Sequence, residues 1–243
     1  MTDPGAVTTS PPTHTDASPS VWEDFIDIFY APSSVFERRK KHSPWPVLVM
    51  LTVLVVVLFV AWQRALGPVM AAEMQRAMAE NPNITPEQME GFGAMGRIFA
   101  AIGFAVTFPL TILFIALAAW VLVRLFGVKT GFLAMLLVAT YSQIVRVAQF
   151  VVGIFQGLLM DVNRMDSVHD VSIGAARFLD QPEVSDLLVN LMARIDLFTL
   201  WATALLAIGV RVVAGLPRAS AWTVALLVWL VGAVPAVIQA LIL

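Results

Sequence analysis

Between Thr130 and Met160 the chain runs for thirty-one residues with a single charge, Arg146, near the middle. A helix rises about 1.5 Å per residue, so about 20 apolar residues cross the hydrocarbon of a bilayer. Backbone amides have no water to bond there, and an open strand or loop is ruled out. A run of this length and composition therefore predicts a transmembrane helix. Arg146 is expensive inside it, at about 3 kcal/mol on insertion scales, and is expected to face protein or water. Ser142, Arg146, Gln149, Gly153 and Gln156 follow one another at spacings of four, three, four and three. On a continuous helix that sequence makes one polar stripe along a Val/Leu/Ile/Phe rod.

The rest of the chain reads as partners for this rod. Of its 243 residues, 59% are hydrophobic and 13% charged. A soluble domain is about half apolar and a quarter charged, so the class is polytopic membrane protein. A net charge of −2 argues against nucleic acid, which calls for a basic surface. There are no cysteines, which removes disulfides, thiol chemistry and cysteine metal sites. His14, His42 and His169 lie outside the apolar segments and share no ligand spacing, so no metal or cofactor is expected. No Walker loop, dinucleotide fingerprint or Gly-x-Ser-x-Gly elbow is present. The carboxylates of the polar segments, such as Glu87 with Glu90 and Asp166 with Asp170, lack a His or Lys and read as solvated surface. No enzyme is expected, and no catalytic residue is assigned.

Residues 1–20 are rich in Pro, Thr and Ser without apolar periodicity, and read as a disordered tail. Order begins at Ser20-Val21-Trp22-Glu23, a capping-box pattern. Trp22, Phe25, Ile26 and Phe29 then share one helix face, with Glu23, Asp24 and Asp27 opposite. This short amphipathic helix is expected on the cytoplasmic side, either packed on the bundle or meeting a partner or the membrane surface. Arg38, Arg39, Lys40 and Lys41 come next, immediately before the first span, within a 21–45 pre-membrane segment.

Five spans are expected in the membrane domain, 46–243: about 46–66, 98–123, 130–160, 196–214 and 221–243. Thr85-Pro86-Glu87-Gln88 is a helix start that runs into the second span. Within that span Gly96, Ala100 and Gly103 form a small-residue face suited to close helix contact, and Pro109 is a kink site. Asp180-Gln181-Pro182-Glu183 starts another helix, expected to continue into the fourth span. Six tryptophans, among them Trp62, Trp201 and Trp229, read as interfacial anchors near span ends. Lys and Arg set the orientation. Eight lie in the short segments on one side (the basic four, Arg124, Lys129, Arg211 and Arg218), against five in the longer segments on the other. By the positive-inside rule the N-terminus is cytoplasmic and the C-terminus external. The expected fold is all-α, a bundle of five membrane helices with a short cytoplasmic helix.

Arg146 needs an anion. It lies sixteen residues above the cytoplasmic end of the third span and Asp196 eighteen above that of the fourth, roughly 24 and 27 Å at helical rise. Thr199 and Thr203 continue the face of Asp196. The expectation is a third and fourth span packed stripe to stripe through Ser142, Arg146, Gln149, Gln156, Asp196, Thr199 and Thr203, with Arg146 paired to Asp196. Such a stripe is either a structural lock or the wall of a solute path. No pair of half-length spans, the usual mark of a transport site, is visible in the sequence.

Two stretches resemble a known family. Phe29-Tyr30-Ala31-Pro32-Ser33-Ser34-Val35-Phe36, continuing to the basic run and Trp45-Pro46, is similar to the segment that leads into the membrane in bacterial Yip-one-domain proteins. Asp196-Leu197-Phe198-Thr199-Leu200-Trp201, continuing to Gly209 and then Gly215-Leu216-Pro217-Arg218, is similar to that family's fourth span and turn; Tyr141 in the third span also fits. The resemblance covers roughly Asp24 to Leu243. It implies five spans with a cytoplasmic N-terminus, and a role in membrane organisation or vesicle trafficking for the eukaryotic members, which recruit Rab-type GTPases. The Asp-Leu-Tyr-Gly-Pro motif of those members is absent here, so a Rab-type partner is not carried over. The expected function is that of a non-enzymatic scaffold or partner-recruiting protein of a bacterial cytoplasmic membrane, touching lipid and either a cytoplasmic protein or a second copy of itself. Trp22, Phe25, Phe29, Arg38, Arg39, Lys40 and Lys41 would be its cytoplasmic handle. The alternative is a small transporter or permease component built on the polar stripe.

Overall fold

A computed structural model describes residues 20–71, 86–160, 171–179, 184–234 and 237–238. Among them the regular structure is helical. Two short helices, α1 (Val21–Tyr30) and α2 (Pro32–Arg39), precede α3 (Trp45–Ala65) and the long α4 (Pro86–Leu125). Then come α5 (Phe132–Ser142), α6 (Val145–Leu159), α7 (Asp186–Ala193), α8 (Leu197–Ala214) and α9 (Arg218–Val231). Among the described residues four stretches are long and apolar enough to cross a membrane: Trp45–Ala65, Met95–Leu125, Phe132–Leu159 and Leu197–Ala214. The fifth expected span is described chiefly as α9, whose 14 residues reach roughly 21 Å, less than the bilayer core.

Local chemistry sets the helix ends. The Ser20 hydroxyl accepts from the Glu23 amide at 3.3 Å, which caps α1. Ala31 stops it, and Pro32 at the first position of α2 loses no helical bond because that amide would be unpaired anyway. Gly215, at φ +70°, closes α8 in the left-handed conformation that only glycine adopts without strain, and Pro217 starts the next helix. The helix predicted from Pro86 does run unbroken into the second span, past Pro109.

The centre of the bundle is α5, buried from Met135 to Ser142 between α4 and α8. On α4 the inward face is Phe108, Ile112, Ala116, Ala119 and Val123, at helical spacing. Its other side, from Ile98 and Phe99 to Leu117 and Val121, is exposed and apolar, as a lipid-facing surface must be. Lipid tails are as apolar as leucine, so helices here gain from close contact rather than from leaving water. Gly209 makes such a contact: a Cβ on it would lie 2.6 Å from Val138 Cγ1 and 2.8 Å from Phe36 Cζ.

Three sequence expectations change. The third span is not one rod: it breaks at Gln143–Ile144, where the amides tighten to bonds three residues back, Ile144 to Tyr141 at 3.2 Å and Gln143 to Thr140 at 3.1 Å, shared with Ala139 at 3.3 Å. Among the described residues Gly96, Ala100 and Gly103 meet no other helix; a Cβ on either glycine would find nothing within 4 Å. That end of α4 turns this face away from the bundle. The fourth span starts afresh: α7 ends at Ala193, and α8 begins behind its own cap, Asp196. Trp62, near the end of α3, packs into the gap that Gly153 leaves on α6. The expected tail and the helix starts at 85 and 180–183 fall outside the described residues.

Candidate functional site

Two constructions concentrate the polar chemistry, and the first is the hairpin α1–α2. The sequence puts Asp24 and Asp27 on the polar face of α1, and the fold turns that face inward. Asp24 is fully buried. Its Oδ1 accepts from Arg38 Nε at 2.8 Å and from an Arg38 terminal nitrogen at 2.5 Å. Its Oδ2 accepts from Arg39 Nε at 2.6 Å and from the Tyr141 hydroxyl at 2.9 Å. Arg38 also reaches Asp27 at 2.6 Å, and the Tyr30 hydroxyl donates to the same carboxylate. A buried carboxylate is tolerated only when paired and bonded in this way.

The apolar face of α1 is divided. Ile28 is buried, and Phe25 and Phe29 pack partly against the core. Trp22, Ile26 and Tyr30, four residues apart, point outward at 61%, 65% and 72% exposure. The hairpin thus encloses one buried charge cluster beside Ile28, Val35 and Phe36, and leaves three large side chains outside. It lies along α8: Ser33, Glu37 and Arg38 share a small pocket with Val212, a Cβ on Gly209 would meet Phe36, and the Phe29 ring lies 6.3 Å from that of Trp201. The basic cluster is disposed accordingly. Arg38 and Arg39 point inward, Lys40 pairs with Glu37, and Lys41 is exposed.

The second construction is a cleft of about 810 Å³ between α4, the break in the third span, α8 and α9. The interruption aims Gln143, Arg146 and Gln149 into it. The Arg146 guanidinium donates to Gln143 Oε1 at 3.2 Å, Gln149 Oε1 at 2.6 Å and Thr199 Oγ1 at 3.3 Å. All three acceptors are neutral. Asp196 makes no ion-pair contact with it: Oδ1 accepts instead from the Phe198 and Thr199 amides, at 2.9 and 3.1 Å, as the cap of α8. In place of the expected Arg146–Asp196 contact stands an amide-and-hydroxyl cradle, while Asp196 Oδ1 caps α8.

The stripe divides at the break. Ser142 is buried and its hydroxyl donates to the Ala139 carbonyl at 2.7 Å. Thr203 lines the cleft while its hydroxyl donates to Thr199 O at 2.8 Å. Gly153 faces α3, and Gln156 Oε1 is buried without a partner among the described residues. Gln143, Arg194 and Trp229 also enter the site, though nothing in the sequence pattern singles them out. In the sequence Arg194 reads as a loop charge and Trp229 as an anchor. Arg194 donates to the Trp229 and Gly232 carbonyls, at 2.5 and 2.8 Å, where α9 ends. Among the described residues no cluster of three His, Cys, Asp or Glu is arranged to hold a metal.

Comparison with known proteins gives one match: the model of the Yip1 domain aligns with residues 26–238, which takes in the hairpin from Ile26 and all four long apolar segments. No curated protein and no solved structure matches the chain.

Proposed function

We propose, for a chain that belongs to the Yip1-domain family and is an integral membrane protein, that it is a non-enzymatic membrane-organising scaffold whose working part is the α1–α2 hairpin. The observation that carries this reading is the hairpin itself, with Asp24 sealed against Arg38, Arg39 and Tyr141 while Trp22, Ile26 and Tyr30 face outward. In water that face is unfavourable; wedged among acyl chains it is at home. The N-terminus is cytoplasmic and the chain crosses five times, which puts the hairpin in the cytoplasmic leaflet of a bacterial inner membrane. A shallow wedge on one leaflet bends or orders lipid, and its position also suits capture of a cytoplasmic protein. The test is reconstitution at rising protein-to-lipid ratios, with vesicle diameters read by electron cryomicroscopy. Wild type is expected to narrow the vesicles and the Trp22→Ser/Ile26→Ser/Tyr30→Ser variant to leave them unchanged. Equal diameters for both would sink the proposal.

A second reading, solute passage, is favoured by the cleft and by the interrupted helix beside it, the kind of break that lines transport sites. Arg146→Gln would then change solute flux in sealed vesicles without altering the fold. Unchanged flux would leave the cleft with a binding or structural role only.

A further inference from the structure

The walls of the cleft are sorted along its length. At one end stand Arg146, Gln149, Arg194 and Thr199, close to where α8 begins and α9 ends. Towards the other end the lining is Phe114, Ile115, Leu206 and Ala225. Leu110 and Phe114 belong both to this wall and to the exposed apolar surface of α4, so the cleft borders the face that meets lipid.

The charges at the polar end do not balance. Two guanidiniums share it with one carboxylate, and Asp196 Oδ1 accepts from two backbone amides of its own helix. The bonds of Arg146 are to neutral side chains and those of Arg194 to backbone carbonyls. Arg194 Nε and Trp229 Nε1 are buried with no acceptor among the described residues. The wall carries more donors than the described residues satisfy, in a region where unpaired donors are costly. Neutral acceptors hold a guanidinium in place without neutralising it, so it remains available to an anion. The volume is within the range of small-molecule sites.

We infer that the cleft binds an anionic amphiphile, a phosphate or carboxylate head against Arg146 and Arg194 with an apolar tail along α4 and α8. The inference rests on the cleft as a site, without requiring passage through it, and is independent of the hairpin. Binding and flux are separate readouts, so one can fail without the other.

The experiment measures binding to delipidated wild-type protein in neutral detergent, with phosphatidylglycerol, phosphatidylcholine, dodecyl phosphate and inorganic phosphate as probes. Phosphatidylglycerol and dodecyl phosphate are expected to saturate at one per chain and to compete, with phosphatidylcholine at least about tenfold weaker. Arg146→Gln should weaken the anionic probes by about tenfold or more, the scale of one lost bond to a charged group. Ile115→Trp keeps both arginines but fills the apolar end, and should weaken them as well. Equal affinity for the glycerol and choline lipids overturns the inference, as does binding indifferent to both substitutions. Inorganic phosphate competing as well as dodecyl phosphate would make the site one for a free anion and overturn the amphiphile.

Discussion

Asp24 is the residue on which the hairpin turns. Four donors from three side chains converge on a carboxylate that no water reaches. Removing one member of such a set leaves the others charged and buried, which costs about 3–5 kcal/mol. Asp24→Ala should lower stability on that scale. Tyr141→Phe, which deletes one bond to a charged group, should cost about 1.5–3 kcal/mol. Thermal unfolding in detergent reads both, and a near-neutral Asp24→Ala would contradict the network. Asp27 offers a test by pH. The Tyr30 hydroxyl first, and Arg38 second, hold its carboxyl below the usual 3.8. A folded-state value lowered in this way contributes stability that is present above the unfolded value and lost as pH falls through the folded one. The stability gap between wild type and Asp27→Asn should be steady above about pH 4 and close below it. A gap that widens on acidification would contradict the assignment. Asp196 separates two roles by one atom. As a helix cap it should accept Asn with little loss, whereas Ala should cost about 1 kcal/mol. If Asn costs as much as Ala, the charge rather than the cap is at work.

At the scale of elements, spans are legible because apolar length is written directly into the chain, and most boundaries fall within a few residues of the observed ones. What the sequence hides are decisions between competing bonds. The stripe from Ser142 to Gln156 is regular on paper, yet it is interrupted at Gln143, with Ser142 buried in α5, Arg146 and Gln149 lining the cleft and Gly153 against Trp62. No proline or glycine marks that break, so there is no local signal to read. Matching depth predicts an Arg146–Asp196 pair, but depth cannot reveal that Asp196 Oδ1 caps α8. Gly209 shows the reverse case, a small residue whose importance depends wholly on what faces it. Gly209→Ala should cost about 1–3 kcal/mol, since Val138 and Phe36 would have to move. Gly103→Ala, with nothing within 4 Å, should be neutral or slightly stabilising by helix propensity. Thermal unfolding that shows equal effects at the two sites would contradict the packing.

For the whole molecule, the α1–α2 hairpin is what distinguishes this bundle from a plain set of spans. The amphipathic period of α1 is evident in the sequence, but which face meets the bundle depends on Arg38, Arg39 and Tyr141 lying where Asp24 can reach them. Tyr141 is 117 residues away in the chain. Membership in the Yip1-domain family and the long apolar helices fix the setting as a membrane, and a hairpin lying along α8 with Trp22, Ile26 and Tyr30 outward must then meet lipid, protein or water. The chain has no cysteine, so single cysteines at 22, 26 and 30 can carry nitroxide labels without background, with a label at the exposed Val53 of α3 as the lipid-facing reference. The decisive measurement is the collision of these labels with oxygen and with a water-soluble nickel chelate in proteoliposomes. Labels at 26 and 30 should match the label at 53, favouring oxygen. Preference for the nickel chelate at 26 and 30, or protection from both reagents, would contradict a hairpin sunk in lipid and the membrane-organising role built on it.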